Sequence, residues 1–176
     1  MVALVAGVLL AGCGSAEPAP MSPRPESSTT RSGPPAELVA WVDGVCQVER
    51  ASLWNPPPPV DANAVTEADR PAVVAYLTAG RDHFTQLAAK LDALPAAPVD
   101  GGDEVVANMR SKVNALATQL GEYAQNASVF PPRGVAAAYR LGLVDIAAWS
   151  YGDPSLADLE KKNPLVAEAR ERTQTC

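Results

Sequence analysis

Residues 71–94 read PAVVAYLTAGRDHFTQLAAKLDAL, and Val73, Leu77, Gly80, Phe84, Leu87, Leu91 and Leu94 fall in it at intervals of 4, 3, 4, 3, 4 and 3. A seven-residue apolar repeat of this kind lies along one side of an α-helix and needs a partner surface to bury it. Residues 102–127 supply a match, with Val106, Met109, Val113, Leu116, Leu120, Tyr123 and Ala127 at intervals of 3, 4, 3, 4, 3 and 4. Joined through the Pro95–Gly102 turn, the two segments predict an antiparallel helical hairpin.

Breakers and caps divide the chain on either side. Thr66 is a good N-cap for the first of these helices, with Glu67 and Asp69 in its first turn. Upstream, a helix from about Pro35 to Leu53 carries Leu38, Trp41, Val45 and Val48 on one stripe. Val39, Val42, Cys46 and Leu53 broaden it, and Asn55-Pro56-Pro57-Pro58-Pro59 ends it. Downstream, Pro131-Pro132 opens a helix with Val135, Tyr139, Gly142, Ile146 and Trp149 on one side, stopping near Ser150. Asp153-Pro154 starts a short helix to Lys162, and Asn163-Pro164 starts a last one towards Cys176. No alternating strand pattern and no hairpin turn signal interrupts this reading, and Asp100-Gly101 precedes a helix as a loop. The expected fold over residues 36–176 is therefore all-α, an antiparallel four-helix bundle with a short C-terminal helical tail.

With 14 basic and 20 acidic side chains the net charge is −6, which disfavours nucleic acid and anionic lipid as partners. Recognisable catalytic patterns are missing: there is no Gly-x-Ser-x-Gly, no Gly-x-Gly-x-x-Gly, no Gly-Lys-Ser/Thr and no Cys-x-x-Cys. His83 is the single histidine and reads as a boundary residue of its helix rather than a general base. Asp100, Asp103 and Glu104 lack the Asp-x-Asp-x-Asp-Gly spacing of a calcium loop, and acids opening a helix are explained by its dipole. No metal, cofactor or catalytic residue is expected. Trp54, Trp149 and Tyr151 sit at helix ends, where aromatics either close the core or form an exposed interaction patch. Alternating helix directions would send the ends of the first and fourth helices to opposite poles, so Trp54 and Trp149 need not meet. Gly80 and Gly142 occupy stripe positions meant for large side chains. They imply close packing, with room for the Trp41 ring, or a void that accepts an apolar ligand between helices.

The N-terminus adds a location. Residues 1–12 are apolar or small, ending in Leu10-Ala11-Gly12 before Cys13, and residues 13–35 are rich in Pro, Ser and Thr. Twelve residues cover only ~18 Å of helix, too short to span ~30 Å of hydrocarbon. Leu10-Ala11-Gly12-Cys13 resembles the lipobox of bacterial lipoproteins. With the Pro-rich tether, the Trp41/Cys46 helix and the terminal Cys176, the whole chain resembles small secreted lipoproteins of high-GC actinobacteria. That resemblance implies cleavage before Cys13, a lipid on its sulfur, and a domain held outside the cytoplasm by a disordered tether reaching up to ~70 Å. It implies no biochemical activity and no residue role beyond Cys13. No Lys or Arg precedes Arg24, whereas export signals normally open with a basic region, so such residues are expected upstream of Met1. With Cys13 lipidated, Cys46 and Cys176 remain as a pair, and an oxidising compartment favours their disulfide. The function expected is a membrane-anchored, non-catalytic binding or interaction module of the cell envelope, acting on an envelope protein. The alternative is a carrier or sensor for a small apolar ligand or lipid, with an enzyme third.

Overall fold

Helix boundaries follow the capping chemistry. A computed structural model of the chain describes residues 33–54, 56–149 and 155–176. The leader, Cys13, the tether as far as residue 32, Asn55, and residues 150–154 with Tyr151 and the expected Asp153-Pro154 start lie outside the described residues. The helices are α1 (Ala36–Ala51), α2 (Arg70–Asp92), α3 (Gly102–Val129), α4 (Pro132–Ala148), α5 (Leu156–Lys162) and α6 (Pro164–Arg172). A 3-10 turn, Glu67–Asp69, leads into α2. Thr66 opens that turn, its N–H and hydroxyl both donating to Asp69 Oδ2 at 2.8 and 2.6 Å. Ser155 and Asp158 form the corresponding capping box for α5, and the Asn163 side chain accepts from Leu165 N–H ahead of α6. These local bonds satisfy N–H groups that a helix start leaves without intrahelical partners.

The α2–α3 hairpin is antiparallel and is the most extensive packing in the molecule. Arg70 at the start of α2 donates to the Ala127 carbonyl near the end of α3 at 2.6 Å, held in place by paired bonds to Glu67. Asp92 at the far end of α2 accepts from Arg110 early in α3 at 2.8 Å. Gly101, at φ 80°, turns the connecting loop through the left-handed region that glycine enters without strain. Asp103 accepts from Ala97 N–H at 2.9 Å and closes that loop, which is the work its carboxylate does.

The α3 stripe differs in detail from the heptad reading. Val105 is 1 % exposed while Val106 is only half-buried, and the buried series runs Val105, Met109, Val113, Leu116, Leu120, Ala124, Ala127. A straight 28-residue helix turns every 3.6 residues, so its buried face drifts from a strict 3.5-residue repeat. Tyr123 is carried to the edge of the face, where its hydroxyl donates to Asp145 of α4 at 2.8 Å.

The protein is an all-α helical bundle, but its helices do not pair as four equals. α4 packs on α3 and α2, whereas the principal partner of α1 is α6, with α2 second. α4 runs alongside α2, Gly142 against Leu77 and Trp149 against Phe84. α1 runs against α2 in the opposite direction: Gly44 faces Leu94 just past the end of α2, and the segment after Ala51 brings Trp54 to Gly80. α1 ends two residues earlier than its stripe suggests. The Ser52 hydroxyl donates back to the Glu49 carbonyl at 2.6 Å and Trp54 N–H to the Ser52 carbonyl at 2.8 Å, tightening the last turn. Leu53 therefore leaves the stripe and is 81 % exposed. The core is filled by Trp41, Tyr139, Phe84 and Leu77, each side chain giving ~1.5–3 kcal/mol on burial.

Candidate binding groove

The stagger of α1 overturns the expected separation of the two tryptophans. Because α1 stops opposite the middle of α2, and α4 runs parallel to α2 and ends at the same level, Trp54 and Trp149 reach one place. They line a surface groove of 820 Å³. One wall is Glu49, Ser52, Leu53 and Trp54 with Pro56 and Pro58; the other is Leu143, Ile146, Ala147 and Trp149, with Tyr76 and Phe84 from α2. Trp54 leans on Tyr76 with ring centroids 4.9 Å apart, and Phe84 on Trp149 at 5.3 Å. Tyr76 in turn meets Tyr139 edge-on at 5.7 Å, and the Tyr139 hydroxyl donates to the Val60 carbonyl at 3.2 Å, holding the loop after the prolines. Tyr151, the third residue of the expected patch, lies outside the described residues.

Gly80 and Gly142 are not among the residues that line this groove. A Cβ on Gly80 would stand 3.1 Å from Leu120 Cδ1 and 3.1 Å from Trp54 Cη2, and one on Gly142 would collide with Leu77 Cδ2. Both glycines are seats for neighbouring side chains. The ring that uses Gly80 is Trp54, not Trp41. Trp41 sits at the other end of the hairpin, its Cη2 3.2 Å from where a Gly102 Cβ would be, with its indole N–H buried and unpaired. A ligand between the helices at Gly80 or Gly142 would have to displace packed side chains.

Two titratable groups belong to this end of the molecule. His83 is half-buried, 6.1 Å from the Trp54 ring and 5.1 Å from Phe84, and its Nε2 is enclosed without a hydrogen-bond partner. Burial pushes its imidazole below the ordinary range, against a hydrogen bond to the Ala51 backbone that raises it. It acts as a strut between the end of α1 and α2. Glu49 is the residue that sequence reasoning missed. Burial raises its carboxyl above the usual range, Arg170 opposing and Glu160 adding to the effect. Arg170 is itself paired with Glu160 at 2.8 Å. A signal was present: Glu49 follows Val45 by four residues and Cys46 by three, which places an acid on the buried face of its helix.

The cysteine pair is not among the residues that line the groove. Cys46 and Cys176 are joined at disulfide distance, with Cα atoms 5.2 Å apart, and tie the C-terminus to the middle of α1. Beside them Thr175 donates to Asp43, and this bond with one from Gln47 holds the Asp43 carboxyl below its ordinary range. Among the described residues no group of three or more His, Cys, Asp or Glu is placed to hold a metal, and no helix is long and apolar enough to cross a membrane. No protein family, no curated protein and no solved structure matches this chain.

Proposed function

We propose that this chain is an exported, lipid-tethered binding module of the cell envelope, without catalysis of its own, and that its working surface is the aromatic groove. The observation that carries the reading is the convergence of Trp54 and Trp149 with Tyr76 and an 81 %-exposed Leu53 around one groove of 820 Å³. Half-buried aromatic and exposed aliphatic groups gathered in one concavity favour binding, and the volume falls within the ~300–1,000 Å³ of small-molecule sites. Glu49, Ser52 and Tyr76 stand among apolar residues in the lining, a set suited to holding a ligand. Export is supported by the lipobox-like Leu10-Ala11-Gly12-Cys13 and by the Cys46–Cys176 pair, which suits an oxidising compartment.

Two experiments test this. Cys13→Ala is expected to release the protein from the membrane fraction or leave it uncleaved; unchanged membrane association with no loss of lipid label refutes the anchor. For the groove, the neutral apolar dye Nile red is expected to bind saturably at one site. Leu53→Asp, a change at an exposed rim, is expected to weaken that binding without lowering the melting temperature. Equal dye binding by the variant refutes the groove as the binding surface.

A further inference from the structure

Resting on that reading of the groove, we propose that its ligand is a small organic cation of the alkylated or quaternary ammonium class, with Glu49 as counter-charge and the Trp54, Tyr76 and Trp149 rings as its walls. The ring system of an aromatic side chain carries negative charge on its face and attracts cations within ~6 Å. Trp54, Tyr76 and Trp149 stand half-buried around the groove, with Phe84 as an almost wholly buried floor. Glu49 lines the same space, and no hydrogen-bond donor among the described residues holds its carboxylate. Arg170, the nearby cation, is paired with Glu160 and offsets the Glu49 charge only in part. A partly buried carboxylate without a donor is a cost that a ligand of positive charge can offset.

The remaining lining narrows the class. A primary ammonium brings three donors and requires acceptors for them. The groove offers few, and much of its lining is apolar, with Leu143, Ile146, Pro56 and Pro58 among it. Methyl or alkyl groups on nitrogen suit such walls while keeping the charge. A neutral ligand of the same shape lacks the charge that offsets the carboxylate and is expected to bind more weakly.

Choline and its neutral carbon isostere 3,3-dimethylbutan-1-ol separate the two cases, read by tryptophan fluorescence and calorimetry on the full chain. Choline is expected to bind saturably and about ten-fold or more tighter than the alcohol, a factor equal to ~1.4 kcal/mol. Glu49→Gln, which keeps the side-chain shape, is expected to abolish that preference while Nile red binding and melting temperature show the groove intact. In the unsubstituted protein, choline affinity is expected to fall as Glu49 is protonated, with alcohol affinity unchanged. Equal affinity for both probes, unchanged choline binding by Glu49→Gln, or no saturable choline binding overturns the proposal. If Nile red still binds in those cases, the groove reading stands and only the cation assignment fails.

Discussion

Replacing Gly80 by leucine tests whether the middle of α2 is packed or hollow. A Cβ there would lie 3.1 Å from Leu120 Cδ1, 3.1 Å from Trp54 Cη2 and 3.2 Å from Trp54 Cζ3. Each neighbour would have to yield by a few tenths of an ångström. For Gly80→Ala the helix-propensity gain of ~1 kcal/mol offsets that strain, and stability should be nearly unchanged. Leucine adds three more carbons to space already held by Leu120, which is 0 % exposed, and by the Trp54 ring. Overpacking of ~2 kcal/mol less the ~1 kcal/mol propensity gain leaves a net loss near 1 kcal/mol. For a domain of this size that lowers Tm by ~2–4 °C. Trp54 follows an exposed residue and is the neighbour most able to move, so its emission should shift red as the ring leaves its seat. Gly142→Leu should cost more, because there the Cβ alone already collides with the buried Leu77 side chain. Thermal melts with fluorescence detection on the three variants give the answer. A Gly80→Leu protein that melts at or above the parent, with no red shift, would refute the packed interpretation and imply a void.

Reduction of Cys46–Cys176 opens a loop of sequence separation 130, and the chain-entropy model puts the loss at about 5 kcal/mol. Intact mass before and after reduction and alkylation should show one intramolecular bond, and a Cys46→Ser/Cys176→Ser double variant should melt far lower; two alkylatable thiols in native protein would contradict this. As the single histidine, His83 can be followed by proton NMR, and its midpoint should lie below 6.5. Because the folded value is the lower one, the stability it contributes is present above pH 6.5 and is lost as pH falls through the folded value; a midpoint at or above 6.5 would show the ring to be solvated. For Glu49 the sign is opposite. Its raised folded value makes its contribution favourable below the unfolded value of 4.5 and lost as pH rises through the folded one, so Glu49→Gln should melt no lower than the parent at pH 7; a clear drop would mean that the carboxylate has a partner. Arg70→Ala leaves the Ala127 carbonyl without its donor and should cost ~1–3 kcal/mol by denaturant titration, whereas Arg110→Ala, which breaks an exposed pair with Asp92, should cost under ~1 kcal/mol.

What the amino-acid sequence determined by itself is what depends on near neighbours. The 4–3 spacing from Val73 to Leu91 buries the residues it names; Thr66 and Asn163 mark helix starts through bonds that span three residues or fewer, and Pro132 marks one through its fixed φ and missing N–H. Cysteine arithmetic was enough to pair Cys46 with Cys176, since with Cys13 set aside no other thiol remained. The tertiary structure alone decided which ring lies on Gly80, why Leu53 turns outward, and that Trp54 and Trp149 share a groove with Glu49. Each of these depends on how far α1 slides along α2. That offset is set by α6, by the disulfide that ties Cys176 back to α1, and by the loop that Tyr139 holds at Val60. Helix periodicity reports which face is buried, but it is unchanged when a helix is translated along its axis. The axial register of α1, and with it the groove, therefore came only from contacts between residues distant in the chain.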